Sequence, residues 1–94
     1  MKIEYSAHLV HRLALRKISH ELPRQVCEES NERYYDIETG HTVATMKVVI
    51  YGKLREVMVA YDIKEQIVRL LTIHPLKEGQ KENRVNSGRW RKLE

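Results

Sequence analysis

The sequence predicts a single α+β domain in which two helices near the N-terminus pack on a mainly antiparallel sheet of four to five strands. Three observations carry that expectation. Residues 7–16 place Leu9, Val10, Leu13 and Ala14 on one side of a helix, behind a capping Ser6. After Asn31 the composition shifts to β-branched and aromatic residues alternating with polar ones. Gly52 then separates two such runs at hairpin spacing. A chain of 94 residues builds one core and no more.

Each element follows from local chemistry. Lys2–Tyr5 alternates polar and apolar residues and reads as a first strand. In the helix behind Ser6, His8, Arg12 and Arg16 recur every fourth residue on a side away from the apolar stripe, with His11 near its edge. Leu15 falls outside the stripe. Ser19 is read as the cap of a second helix reaching about Glu28, where Leu22, Val26 and Cys27 share a face. Pro23 sits in its first turn, where no N–H partner is lost. Further strands are expected over Arg33–Glu38, His41–Tyr51, Leu54–Ile63 and Gln66–His74, with Thr39-Gly40 a turn and Pro75 a stop.

Gly52-Lys53 is read as a two-residue loop with glycine first. That sets Tyr51 opposite Leu54, Ile50 opposite Arg55, Val48 opposite Val57, Met46 opposite Val59 and Ala44 opposite Tyr61. These pairs share one apolar face, while Thr45, Lys47 and Glu56 take the other. Arg55 on the apolar face needs a partner or an anion. Tyr61 reads as a core tyrosine with its hydroxyl bonded.

Composition excludes several classes. A hydrophobic fraction of 41% with 32% charged residues fits neither disorder nor a coiled coil. No apolar run reaches the ~18–20 residues of a membrane helix, and the first residues lack a signal-peptide core, so a cytoplasmic chain with no membrane partner is expected. The lone Cys27 allows neither an intramolecular disulfide nor a cysteine-based zinc site. Seventeen Lys and Arg against 13 Asp and Glu give a net charge of +4. Most of the excess lies in residues 77–94, read as a basic tail appended to a domain over residues 1–76. Arg84, Arg89 and Arg91 there suit a polyanion, and Trp90 either stacks on a base or anchors the tail.

The run from His8 to Ser19 resembles the opening H-A-x-x-R-M-x-x-R-G-I-S of a family of small domains grouped with RelE/ParE-type toxins. His8, Arg12, Arg16, Ile18 and Ser19 match, Leu13 stands for the Met, Leu9 for the Ala, and Lys17 for the Gly. The strands ending in Leu70-Leu71-Thr72-Ile73-His74-Pro75 look like the family's layout, so the likeness covers about residues 3–75. It implies a RelE-like fold and the toxin of a toxin–antitoxin pair, acting as a metal-independent endoribonuclease (a hydrolase by class). RNA, including ribosome-associated mRNA, is then the substrate and an acidic antitoxin the partner, and a homodimer is compatible with it. The alternatives are a non-catalytic RNA- or protein-binding module of that fold and a ParE-like gyrase inhibitor. A Gly at the Lys17 position would take a left-handed backbone. Lys there costs roughly 1 kcal/mol or ends the helix differently.

The candidate catalytic residues are His8, Arg12, His74 and Arg55. An imidazole can take up and release a proton near neutral pH, which suits His8 to acid–base work, and Arg12 one turn on can clamp a phosphate. His74, at a strand end, can supply a second acid or base, although alternation leaves its sheet face open. Arg16, Arg84, Arg89, Trp90 and Arg91 are the candidate RNA-binding residues. His8 and His11 form H-x-x-H, but no H-E-x-x-H, cysteine pair or carboxylate cluster joins them, so no metal and no cofactor is expected.

Overall fold

The computed structural model describes residues 2–93. In chain order it runs β1 (Lys2–Tyr5), α1 (Ala7–Arg16), α2 (Leu22–Glu29), β2 (Glu32–Asp36), β3 (Thr42–Ile50), β4 (Lys53–Lys64), β5 (Ile67–Pro75), α3 (Gln80–Asn86) and β6 (Trp90–Leu93). The strands form one six-stranded sheet in the order β1-β5-β4-β3-β2-β6. Only the β1–β5 pairing is parallel. This corrects the expected fold of two helices on a four- to five-stranded sheet. The sheet is mixed and has six strands, and a third helix covers its second face. The difference lies in residues 77–94, read as a tail, which fold into α3 and β6.

Helix α1 forms as its sequence dictates. Ser6 Oγ accepts the Leu9 N–H at 3.1 Å, and Leu9 and Leu13 are buried. Burying each leucine contributes about 1.5–3 kcal/mol, enough to dock the helix. Val10 remains 44% exposed, so the apolar stripe is narrower than expected. Lys17 takes the left-handed conformation, φ 54°, and the Ile18 N–H closes the helix end on Leu13 O at 3.0 Å. The helix therefore keeps the glycine-type stop without the glycine. Helix α2 starts at Leu22, and Ser19 Oγ accepts from Glu21 N just ahead of it. At its far end Arg33 donates to Cys27 O at 2.6 Å and to Tyr61 Oη at 2.9 Å, tying the last turn to the sheet.

The β3–β4 hairpin forms with its turn one residue earlier than expected. Tyr51 and Gly52 both have positive φ (53° and 75°), the two-residue turn with glycine second rather than first. Ile50 therefore faces Lys53, Val48 faces Arg55, Met46 faces Val57 and Ala44 faces Val59. The faces survive this two-residue slip because it preserves parity. The partners do not.

One face carries α1 and α2 over Leu9, Leu13, Val26, Val57, Val59 and Leu70. The other holds a smaller core of Tyr34, Val43, Met58, Ala60, Leu76 and Trp90 beneath α3. Between them, β5 carries a bulge. Leu70 faces Tyr61, but Thr72 faces Ala60, leaving Leu71 as the extra residue. Strict alternation from Leu70 would turn Thr72 and His74 into the α1–α2 core. The bulge sends them to the α3 face instead.

Candidate functional site

On the α3 face, His41, Thr72, His74, Gln80, Arg84 and Trp90 help line a cleft of about 260 Å³. His74 is its most constrained polar group. Arg16 Nη1 lies 3.5 Å from His74 Nδ1, and Thr72 Oγ1 lies 3.1 Å from His74 Nε2. A guanidinium only donates, so Nδ1 accepts, and in the neutral ring Nε2–H donates to Thr72. Burial first, then the charges of Arg16, Arg12, Arg84 and His8, push His74 below the ordinary histidine value. Both effects disfavour the protonated ring.

Helix α1 does not line this cleft but meets His74 through Arg16, past the end of the short β1. Beyond Tyr5 the Ser6 N–H donates to Leu70 O at 2.9 Å and Ser6 Oγ to Leu71 O at 3.3 Å. The helix then packs along β5, so the line of His8, Arg12 and Arg16 runs toward His74. Arg84 arrives from α3, its guanidinium 5.4 Å from the centre of the Trp90 ring. Among the described residues, no carboxylate lies within ion-pair distance of Arg12, Arg16 or Arg84. A cluster of like charges without counter-ions is a place for an anion.

The remaining sequence candidates do not join the cations around His74, although Arg89 and Trp90 also line the cleft. Arg55 has the expected parity but is exposed near the hairpin tip, away from the cleft. Trp90 is 1% exposed, so it is core and cannot stack on a base. Its Nε1 donates to Asp36 Oδ2 at 3.2 Å, and Arg89 grips the same carboxylate through two bonds of 3.1 Å. Burial alone would raise the Asp36 pKa. Arg89, the Glu38 and Thr39 N–H groups and Trp90 overcome it and bring the value to about 2. Arg89 and Trp90 thus hold the last strand to β2. Arg91 is exposed on β6, outside the cleft.

One pair was missed. His41 Nδ1 lies 2.8 Å from Asp62 Oδ1, with both side chains partly exposed at 35% and 46%. Its signal was the hairpin register. Because Thr42 faces Tyr61, the next position outward sets His41 by Asp62, whereas the expected register set it opposite Lys64. Among the described residues, no three His, Cys, Asp or Glu side chains gather as metal ligands. No helix there is long and apolar enough to cross a membrane. No protein-family model, curated protein or solved structure matches the chain, so the likeness of residues 8–19 to the toxin motif rests on those residues themselves.

Proposed function

We propose that the chain is a metal-independent endoribonuclease, the toxin of a toxin–antitoxin pair, which holds an RNA phosphate at the His74 cleft. The observation that carries this reading is the setting of His74, an imidazole among Arg12, Arg16, Arg84 and His8. Among the described residues these arginines pair with no carboxylate, and Asp36, which also lines the cleft, is taken up by Arg89 and Trp90. RNA cleavage by its own 2′-hydroxyl needs a base for that proton, an acid for the leaving oxygen and cations for the phosphorane. His74 is the base. Arg12 and Arg16 stabilise the phosphorane charge, and His8 lies on the same helix face.

The Arg16–His74 contact is long for a hydrogen bond. A phosphate is the stronger partner for guanidinium, so substrate draws Arg16 away and uncovers Nδ1. In the step itself Nδ1 takes the 2′-hydroxyl proton, the 2′-oxygen attacks phosphorus, and the bond from phosphorus to the 5′-oxygen breaks.

One observation favours a second reading, a non-catalytic RNA-binding module. Both nitrogens of His74 are already engaged. Purified protein incubated with RNA and a chelator separates the two. Cleavage that His74→Ala abolishes supports the nuclease, whereas RNA binding without cleavage supports the module. Growth arrest on expression with RNA left intact would instead support a gyrase inhibitor.

A further inference from the structure

We propose that His41, held by Asp62, is the second proton-transfer group of the cleft and protonates the departing 5′-oxygen. This rests on the RNA-cleavage reading and names the acid that reading requires. The Asp62 carboxylate accepts only, so His41 Nδ1 carries the hydrogen between them at 2.8 Å. That leaves Nε2 as the nitrogen free to exchange a proton, and the carboxylate fixes the ring's orientation. The ring lines the same cleft as His74.

The fold does not need this pair for packing. Neither residue belongs to either core cluster, and both are partly exposed. Their setting also differs from that of His74. His41 faces a carboxylate, with Arg69 of β5 paired beyond Asp62, while His74 faces the cations of α1 and α3. Two imidazoles line one cleft, His74 against the Arg16 guanidinium and His41 against the Asp62 carboxylate, and the two proton transfers are assigned one to each. The step balances. His74 receives the 2′-proton as the 2′-oxygen bonds to phosphorus, the P–O5′ bond breaks, and His41, doubly protonated at the start of the step, passes its Nε2 proton to the 5′-oxygen, giving a 2′,3′-cyclic phosphate and a 5′-hydroxyl. Exchange with water restores both rings.

The test varies the leaving group. A dinucleoside phosphate at which the wild type cuts has a poor leaving group and needs an acid. The same nucleoside 3′-(4-nitrophenyl phosphate) has a good one and does not. His41→Gln, shown folded by its thermal transition, is expected to lose on the order of 10²-fold on the first substrate and less than about threefold on the second. Asp62→Asn, which leaves the imidazole in place but loosens its orientation, is expected to show the same selective loss to a smaller degree. Equal loss of both activities in His41→Gln, or loss of neither, overturns the assignment and leaves the nuclease reading standing. A wild type that cleaves neither substrate overturns both.

Discussion

Nη1 of Arg16 lies 3.5 Å from Nδ1 of His74, joining the last turn of α1 to the end of β5 across 58 residues of sequence. The contact sets a guanidinium against a histidine whose protonated form is already disfavoured by burial. On the proposed reading, a phosphate that engages Arg16 releases the imidazole.

Removing one cation should therefore weaken RNA binding through charge. Arg12→Ala and Arg84→Ala are each expected to lower affinity for single-stranded RNA and to reduce the salt slope by about 0.7. Arg55→Ala, exposed and outside the cleft, should leave both unchanged. Filter binding across a salt series measures this.

The titration of His74 should be displaced downward. Burial and the four neighbouring charges disfavour its protonated form, so the folded protein binds fewer protons than the unfolded chain just below the ordinary histidine pKa of about 6.5. Stability from this group is complete above that value and is lost as pH falls through the window down to the folded pKa. An NMR titration should place the His74 midpoint below the ordinary value, and Arg12→Ala should move it upward.

Asp36 is expected to dominate acid stability. Its folded pKa of about 2 lies below the ordinary carboxylate value, so its contribution is complete above about pH 4 and is lost as pH falls toward 2. The contribution is on the order of 2 kcal/mol. Asp36→Asn should remove it and flatten the acid limb of a pH–stability curve measured by urea unfolding. Truncation after Leu76 removes Arg89 and the buried Trp90 along with β6, and should unfold the domain rather than merely weaken RNA binding.

Among the described residues, four non-glycine residues hold left-handed backbone: Lys17, Tyr51, Glu65 and Gln66. Lys17→Gly and Gln66→Gly should each stabilise the protein, by up to about 1 kcal/mol, because glycine adopts that conformation without a Cβ clash. Tyr51 is compensated, since its hydroxyl donates to Arg16 O at 2.8 Å. Tyr51→Phe should cost about 1 kcal/mol in thermal unfolding.

The N-terminal half of the fold was legible because its signals are local. Ser6, Leu9 and Leu13 specify α1 within two turns of chain, and Lys2–Tyr5 forms the strand its alternation predicts. What escaped depends on distant residues. β6 forms because Asp36 gathers Arg89 and Trp90 from more than fifty residues away, which no periodicity in 77–94 announces. His74 was named, but its face depends on the bulge at Leu71, which period-two reasoning cannot place. His41 and Asp62 were hidden by the choice of turn at Gly52, since glycine fits either position and each position sets a different register.

The most direct measurement is cleavage of RNA by the purified protein in the presence of a chelator, with His74→Ala, shown to be folded, beside the wild type. The account predicts 2′,3′-cyclic phosphate products from the wild type and a rate lower by on the order of 10²-fold or more in the variant. Undiminished cleavage by His74→Ala, or no cleavage by the wild type, would contradict it.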